Sequence, residues 1–376
     1  MAAVYLHIPF CAQRCVYCDF YFVTATKGHT GYVNALCTEV ESCPYDDSIE
    51  TIYVGGGTPS RLEVGHIGRI LAAVHNRFEC SRLREVTVEL NPEDADDEYL
   101  IGLRTLGVNR LSLGIQSFFE DDLRFMNRSH GPEEAMSALR AIRDAGFDNF
   151  TVDLIFGLPG QSVRRWDENL KRVTHFQAPH VSTYGLTIEK RTPLYKRVAL
   201  GLVKPESEDI MADKFLSAMR YLHGEGYEHY EISSFARPGF RSVHNQLYWN
   251  HVDYLGFGPS AHSFRWNAGC ARRWSNVRSL RKYLRCVEHG ESPVAEEETL
   301  SPRALASERI MLSIRTNDGL DLSLLRSQYG IDLASEKHVD LSVLESEGFV
   351  EWINPDRLRL TNRGRLVCDA VTARIA

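Results

Sequence analysis

The chain has 376 residues, of which 43% are hydrophobic and 25% are charged, and its formal net charge is −7. These values are ordinary for a globular protein and exclude a general electrostatic affinity for nucleic acid or anionic membranes. No apolar run approaches the roughly 18 residues that span a bilayer. The N-terminus lacks the basic and apolar regions of a secretion signal, so we expect a cytoplasmic protein with no sequence support for membrane contact.

The first half of the chain alternates β-rich runs with amphipathic stretches. The predicted strands are Val4–Ile8, Thr51–Val54, Glu85–Leu90, Arg110–Gly114, Asn149–Ile155 and His180–Leu186. The predicted helices between them include Arg61–Phe78, Asp96–Leu106, Pro132–Ala145 and Val163–Phe176. Repeated strand–helix units of roughly 30 to 40 residues are typical of a parallel sheet with helices outside. We therefore predict an α/β fold in which residues 1–200 form a partial parallel (β/α)6-type barrel.

The pattern changes after residue 200, where we expect an extension of the barrel over residues 201–295. It contains a helix (Glu206–Gly224), a strand (Gly226–Ile232) and an irregular aromatic-rich stretch (Arg237–Trp274). Residues 296–376 predict a small C-terminal domain, with helices Arg303–Ser313, Leu320–Tyr329 and Glu336–Gly348 before strands Phe349–Ile353 and Leu358–Thr361. This order is typical of a winged-helix-like domain. The segment lacks a dense basic face, which argues against DNA binding.

Glycine-rich and polar residues follow the predicted strands of the barrel. They are Gly55–Pro59 after the second strand, Glu89–Pro92 at the third, Gln116–Ser117 after the fourth, and Asp153 and Gly157–Gly160 at the fifth. Because the carboxyl ends of parallel barrel strands carry the active site, we expect these residues to converge on one rim.

Three of the nine cysteines lie within eight residues, and they follow the first strand. Cys11, Cys15 and Cys18 have the spacing C-x3-C-x2-C. Cysteine thiolates are the usual ligands of iron–sulfur clusters, and three ligands leave one iron of a four-iron cluster open to a small molecule. The alternative is a zinc site with His7 as the fourth ligand. Structural zinc sites commonly use two separated pairs of ligands, so the tight trio favours the cluster.

The run from Tyr5 to Phe20, together with this cysteine spacing, resembles the signature of the radical S-adenosylmethionine superfamily. It is most similar to the branch that contains the oxygen-independent coproporphyrinogen III dehydrogenases (HemN) and the related haem chaperones (HemW). The resemblance covers nearly the whole chain. It implies a radical-SAM barrel, a [4Fe–4S] cluster on the three cysteines, and S-adenosylmethionine on the open iron. Reduction then cleaves the sulfonium to a 5′-deoxyadenosyl radical.

The same resemblance implies which residues hold S-adenosylmethionine. Two tyrosines would lie against the nucleoside: Tyr5 and Tyr17. Three residues of the glycine-rich loop would meet the methionine end: Gly56, Gly57 and Thr58. Four polar side chains would hold the ribose hydroxyls and the carboxylate: Glu89, Gln116, Arg128 and Asp153. These types suit the task, since glycine permits close backbone approach and arginine forms two-pronged bonds with carboxylates.

Three features of the sequence separate the dehydrogenases from the chaperones. Phe20 stands where the dehydrogenase pattern has a fourth cysteine, and only four residues precede Tyr5 where the dehydrogenases carry an extension. The run His244–Trp249 matches the H-N-x-x-Y-W signature of the chaperones, in which the histidine is associated with haem. The resemblance therefore implies haem contacts from His244, Tyr248 and Trp249.

Other residues near this signature are weaker candidates for haem binding. His262 is an alternative axial ligand, and Arg272 and Arg273 are candidates for the haem propionates, although a solvated surface role is the simpler interpretation of both arginines.

The expected function is that of a haem chaperone that passes haem to apo-haemoproteins, including respiratory ones. The alternatives are radical decarboxylation of coproporphyrinogen III and a radical methyltransferase that opens the haem ring. The sequence leaves a homodimer open.

Overall fold

The computed structural model describes residues 1–25, 27–267 and 269–376, and its centre is a 12-stranded sheet. The first six strands of the chain are parallel neighbours in this sheet. They are β1 (Ala2–Ile8), β2 (Ile49–Gly56), β3 (Glu85–Leu90), β4 (Arg110–Gln116), β5 (Phe150–Phe156) and β6 (His180–Gly185). All six runs predicted as strands within residues 1–200 are strands, so the predicted α/β fold with a parallel barrel-type sheet is confirmed.

Helices connect these strands and cover the sheet. They are α1 (His29–Glu41), α2 (Val64–Arg77), α3 (Asp97–Thr105), α4 (Glu120–Met126), α5 (Pro132–Asp144), α6 (Val163–His175) and α7 (Pro193–Ala199), with short 310 turns at Pro59–Arg61 and Pro92–Asp94. Side-chain caps fix where some of them begin: Asp96 accepts from the Tyr99 amide and Ser162 from the Arg165 amide. None of the described helices combines the length and apolar character needed to cross a bilayer.

Residues after α7 extend the sheet at both edges. They form α8 (Glu208–Gly224), β7 (Glu228–Glu231), β8 (Ser234–Ala236), α9 (Val243–Trp249), β9 (Asp253–Phe257), β10 (His262–Asn267), β11 (Cys270–Asn276), α10 (Leu280–Glu288) and β12 (Val294–Leu300). The strand order is β12-β11-β10-β9-β1-β2-β3-β4-β5-β6-β8-β7, with β9 parallel to β1. The extension therefore continues the barrel sheet.

The expectation of an irregular stretch over Arg237–Trp274 is wrong, because this stretch contains α9, β9, β10 and most of β11. Its aromatic residues stabilise strands by packing across them, as Tyr254 of β9 does with Phe264 of β10 at 6.1 Å between ring centroids. Gly256 lies within β9, and a glycine in a strand weakens the sequence pattern by which the strand could be predicted. A Cβ on this glycine would lie 2.0 Å from the carbonyl oxygen of His262, so the close approach of the two strands requires glycine.

The C-terminal residues form helices around a three-stranded sheet of order β13-β15-β14. The elements are α11 (Pro302–Ile314), β13 (Leu320–Asp321), α12 (Leu322–Tyr329), α13 (Leu333–Glu336), α14 (His338–Ser346), β14 (Val350–Asn354), β15 (Arg357–Leu360), α15 (Asn362–Leu366) and α16 (Cys368–Ile375). The predicted helix at Leu320 begins two residues later, because the Asp321 side chain caps it by accepting from the Leu324 amide. The apolar core of this C-terminal unit includes Phe264, Ala271 and Leu300 of the large sheet. The boundaries at residues 200 and 295 stay predictions.

Glu39 of α1 joins the barrel to its extension through three hydrogen bonds. Its Oε2 accepts from the Tyr283 hydroxyl at 2.6 Å and from the Gly258 amide at 2.8 Å. Its Oε1 accepts from the Asn276 side-chain amide at 2.6 Å. Burial raises the pKa of this carboxyl group, and the three donors partly offset that effect. The carboxylate is therefore the common acceptor for three separate segments of the extension.

We expect Glu39→Ala to lower the free energy of unfolding by about 3 kcal/mol, because it removes the acceptor of three enclosed hydrogen bonds. Glu41→Ala, an exposed change on the same helix, is the control and should change stability by about 0.5 kcal/mol or less. Urea unfolding followed by tryptophan fluorescence measures both variants. Equal stability of the two variants would contradict the role given to Glu39.

Candidate functional site

A cavity of about 700 Å³ lies at the carboxyl ends of the parallel strands. Small-molecule sites typically have about 300 to 1,000 Å³, so this cavity has room for a nucleoside-sized ligand. Its walls include the three clustered cysteines and eight of the residues expected to hold S-adenosylmethionine: Tyr17, Gly56, Gly57, Thr58, Glu89, Gln116, Arg128 and Asp153. The structure thus brings the polar strand-end residues together at one rim.

The cysteine loop is anchored to the barrel by backbone hydrogen bonds on both sides. The Cys11 amide donates to the Val23 carbonyl at 3.0 Å, which closes the loop on itself. In the middle of the loop, the Val16 amide donates to the Met126 carbonyl at 3.1 Å, and the Val16 carbonyl accepts from the Leu194 amide at 2.9 Å. α4 and α7 therefore hold the loop over the cavity.

Two of the cysteine sulfurs receive hydrogen bonds from residues of the cavity wall. The Thr58 hydroxyl lies 3.5 Å from Cys11 Sγ, and Arg128 Nη1 lies 3.5 Å from Cys15 Sγ. Burial raises the pKa of the Cys11 thiol to about 11 and raises that of Cys18. Thiolates in this position therefore need a strongly cationic partner, which iron provides.

The geometry does not favour zinc with His7 as the fourth ligand. His7 Nδ1 lies 3.1 Å from the Tyr5 hydroxyl and its Nε2 lies 2.8 Å from the Tyr21 carbonyl, so both ring nitrogens are engaged. Within residues 1–25, 27–267 and 269–376, no three His, Cys, Asp or Glu side chains converge closely enough to hold a single ion.

The glycine-rich loop after β2 approaches the cysteine loop too closely for side chains. A Cβ on Gly57 would lie 2.9 Å from the Phe10 carbonyl and 3.0 Å from Cys11 Sγ. Gly56 has φ +116, and a Cβ there would lie 2.7 Å from the His7 ring. Both glycines are therefore required by the local packing, independently of any ligand.

Arg128 bridges the cysteine loop and the third strand end. Its Nη2 donates to the Asn91 side-chain oxygen at 2.7 Å and to the Gly114 carbonyl at 2.8 Å. Its Nε is buried and has no hydrogen-bond partner among the described residues. Since arginine is always charged, the Arg128 guanidinium in the cavity wall favours a carboxylate nearby.

Two carboxyl groups, on β3 and on β5, face the cavity with raised pKa values. Burial raises the pKa of Glu89 to about 7, and the charge of Asp153 adds to the effect. Burial raises the pKa of Asp153 to about 6, although Ser182 and Ser112 donate to it. Glu89 accepts from the Tyr53 hydroxyl at 2.8 Å and from the Gly56 amide at 3.0 Å. A cationic or hydroxyl-rich ligand would favour the ionised forms of both groups.

Tyr53 contacts the cavity where Tyr5 was expected, and sequence reasoning missed it. Tyr5 does not appear in the cavity wall; it lies behind Tyr53, with 6.1 Å between ring centroids. Tyr53 stands two residues before Gly55 on β2, so period-two alternation was the signal that could have identified it. Gln116 lines the cavity with φ +68, a conformation that costs about 1 kcal/mol or more for a residue other than glycine.

The structure does not bring the expected haem residues to the cluster cavity. His244, Tyr248 and Trp249 lie on α9, whose first turn is held by Glu85: its carboxylate accepts from the Val243 amide at 2.8 Å and the His244 amide at 2.9 Å. Glu85 begins β3, so α9 lies at the opposite end of the barrel from the cysteines. Ser242 and Asn245 do line the cavity, which therefore reaches from the cysteine rim to α9.

His244 is buried, with both ring nitrogens engaged. Nδ1 lies 2.7 Å from the Thr51 hydroxyl and Nε2 lies 3.0 Å from the Tyr248 hydroxyl. Burial lowers the pKa of this histidine to about 3, so it is neutral. In this conformation His244 presents no nitrogen to a haem iron, and the Tyr248 hydroxyl must move before Nε2 can do so.

The weaker haem candidates are paired or lie on the surface. Arg272 makes a two-pronged ion pair with Glu297 at 2.6 and 2.7 Å, and Arg273 pairs with Glu298 and Glu308. His262 is exposed. The arginines are therefore engaged by carboxylates of the protein itself.

Comparison with protein families places two known domains on this chain. The model of the radical SAM superfamily matches residues 5–173, and the model of the HemN C-terminal domain matches residues 300–367. A solved structure of coproporphyrinogen III oxidase (HemN) from Escherichia coli has a TM-score of 0.83, covering 100% of this chain and 90% of that one. At 24% identity, this likeness establishes the shared fold.

Curated relatives match the chain over nearly its whole length. The heme chaperone HemW of Lactococcus lactis is 36% identical and is matched over 96% of this chain and 94% of its own. The protein of the same name from Mycobacterium tuberculosis is 35% identical, over 98% and 93%. That from Bacillus subtilis is 30% identical, over 99% and 98%.

We expect Gly57→Ala to weaken cluster retention by roughly tenfold, because the new Cβ pushes on the Phe10 carbonyl and on Cys11 Sγ; changes just outside a metal's ligands commonly have this size. The measurement is the rate of cluster loss to an iron chelator after anaerobic reconstitution. Gly65→Ala, where a Cβ meets nothing within 4 Å, is the matched control. Equal rates of loss in the two variants would show that the close approach is not needed.

Proposed function

Because this chain belongs to the HemW family within the radical S-adenosylmethionine superfamily, we propose that it is a haem chaperone that binds haem and delivers it to apo-haemoproteins, including respiratory ones. The observation that carries the proposal is full-length similarity to relatives that bear this name. His244, Tyr248 and Trp249 do not line the cluster cavity, although Asn245 of the same signature does, and this placement supports separate sites for haem and for the cluster. The cytoplasmic location and a homodimer stay predictions.

We propose that Cys11, Cys15 and Cys18 hold a [4Fe–4S] cluster and that S-adenosylmethionine binds beside it. The cluster, when bound, supplies the electron by which this superfamily cleaves the sulfonium. The chain's own residues bind and orient the ligand. The positive charge of Arg128 suits the carboxylate, while Glu89 and Asp153 suit the ribose hydroxyls and the positive sulfonium. Gly56, Gly57 and Thr58 suit the methionine end, with Gln116, Tyr17 and Tyr53 completing the wall.

The alternatives are the radical decarboxylation of coproporphyrinogen III and the radical methylation that opens haem. Both would use the cluster cavity as a reaction chamber. The residue that replaces the fourth cysteine of the dehydrogenase pattern, Phe20, lines this cavity and is 70% exposed. It contributes no metal ligand there, which favours the chaperone over the dehydrogenase.

The chaperone proposal is tested with the anaerobically reconstituted protein, S-adenosylmethionine and reductant, offered haem in one assay and coproporphyrinogen III in another. We expect haem uptake and transfer to an added apo-haemoprotein, with no release of carbon dioxide. His244→Ala should weaken haem binding by roughly tenfold, since an axial ligand is lost. His75→Ala, an exposed histidine on α2, is the control. Conversion of coproporphyrinogen to protoporphyrinogen would overturn the proposal.

We expect the affinity for S-adenosylmethionine to rise by roughly tenfold between about pH 5.5 and about pH 7.5. In the free protein Glu89, with a pKa of about 7, and Asp153, with a pKa of about 6, hold protons at the lower pH. The sulfonium cation favours the ionised carboxylates, so binding releases protons and strengthens as pH rises. Calorimetry in two buffers measures both affinity and proton release.

The Glu89→Gln variant should show a flatter dependence on pH, because the group with the higher pKa no longer titrates. Glu120→Gln, an exposed change on α4, should keep the wild-type dependence. An affinity that is independent of pH in the wild type would refute the placement of these carboxyl groups against the ligand.

A further inference from the structure

A second cavity, of about 290 Å³, lies between the end of α9 and the C-terminal unit. Trp249 and Asn250 of the α9 end form one side. Arg309 and Ser313 of α11 form another, and residues of the α11–α12 connection and of β15 complete the wall. Asn250 and the loop residue Asp318 are exposed, so the cavity reaches the surface. Its wall residues differ from those of the cluster cavity.

Three residues of this cavity wall each carry a buried polar atom that has no hydrogen-bond partner among the described residues. These atoms are Trp249 Nε1, Arg309 Nε and Ser313 Oγ. Ser313 is 3% exposed. The indole and guanidinium nitrogens can only donate, and the hydroxyl can also donate. An unsatisfied buried donor costs about 1 to 3 kcal/mol, so an acceptor that enters the cavity, and toward which these side chains turn, would be stabilised by them.

The charge of Arg309 also lacks a partner in the cavity. No carboxylate forms an ion pair with it in the part of the chain that the structure describes, and burial lowers the pKa of its guanidinium. The acidic side chains of the same wall are engaged elsewhere. Asp321 pairs with Arg357 at 2.6 Å, and Asp318 pairs with Arg241 at 3.3 Å. Water can accept hydrogen bonds from the three donors but supplies no charge, whereas an oxyanion does both.

We propose that this cavity binds an oxyanion and that, in the haem-loaded protein, the oxyanion is the carboxylate of a haem propionate. The identification with propionate rests on the proposed chaperone function. A cavity of this size admits a carboxylate on a short chain but not a porphyrin ring, which therefore lies outside its mouth. Trp249 belongs both to the H-N-x-x-Y-W signature and to the cavity wall, so the ring and its propionate meet at this residue.

This site is distinct from the His244 position on the same helix. His244 contacts Thr51 of β2, whereas the Trp249 carbonyl accepts from Arg309 Nη1 at 3.1 Å. The beginning of α9 therefore faces the barrel and its end faces the C-terminal unit. The last residue of the signature acquires a role of its own, as a donor to the carboxylate through the indole N–H.

The test compares the binding of haem with that of haem dimethyl ester, in which both propionates are esterified. The wild type should bind haem at least fivefold more tightly than the ester. Arg309→Gln should reduce the affinity for haem by at least fivefold and leave the affinity for the ester unchanged. Ser313→Ala removes one donor without a change of charge and should give a smaller loss in the same direction, which keeps the test valid if Arg309→Gln folds poorly.

Arg303→Gln is the matched control, because Arg303 lies on the same helix, outside the cavity, and pairs with Glu336 at the surface. A second arm tests acetate and inorganic phosphate as free ligands through the thermal midpoint of the haem-free protein. Haem and its ester could bind alike while the anions raise the thermal midpoint of the wild type but not that of Arg309→Gln. That result supports the oxyanion site, with a free anion as its ligand.

The inference is overturned if neither the preference for haem over its ester nor the response to free anions depends on Arg309 and Ser313. A wild type that binds no haem at all would instead refute the chaperone proposal and the propionate assignment. The anion arm would then still decide whether the cavity binds an oxyanion.

Discussion

The close contact between Gly57 and the cysteine loop is the constraint on which the cluster cavity depends. The Gly57 amide donates to the Ile8 carbonyl at 2.7 Å, which ties the end of β2 to the end of β1. With no side chain at Gly57, the loop that carries Cys11 turns over the barrel mouth instead of away from it. Thr58 then reaches the Cys11 sulfur, and the adjacent Gly56 amide reaches Glu89. The absence of a side chain at Gly57 therefore lets the cysteine loop lie close to the carboxyl groups at the strand ends.

Charge is distributed unevenly within the cavity that this contact creates. Arg128 stands beside Cys15, with its Nε unpaired, while the carboxyl groups of Glu89 and Asp153 lie on β3 and β5. The cation near the sulfurs favours a carboxylate at that end, and the acidic pair favours a positive centre or hydroxyl groups at the other. A zwitterionic nucleoside such as S-adenosylmethionine has this distribution. Burial raises the pKa values of both acids, which shows that they lie away from water. The attraction between them and the positive charge of this ligand is therefore stronger than it would be in water.

The sequence was sufficient to predict the features that repeat or cluster along the chain. The parallel strands and the convergence of polar residues at their carboxyl ends follow from periodicity and topology, because every such strand ends at the same rim. It was insufficient where tertiary contacts choose between similar residues. Tyr5 and Tyr53 both lie within adjacent parallel strands, β1 and β2, but only Tyr53 contacts the cavity. Arg309 and Ser313 lie in an ordinary helical pattern, and only the packing of α11 against α9 leaves their polar atoms without partners.

The position of α9 depends on both of its ends, because a helix of 7 residues has little stability of its own. Glu85 and Thr51 bind its first turn, and Arg309 binds the carbonyl of its last residue. The ring of His244 also lies 4.9 Å from that of Tyr53, whose hydroxyl donates to Glu89 in the cluster cavity. One short helix therefore contacts the wall of each cavity. A ligand that moves Tyr53 or Arg309 necessarily acts on the residues that hold α9, and this contact is the physical link between the cluster end of the barrel and the C-terminal unit.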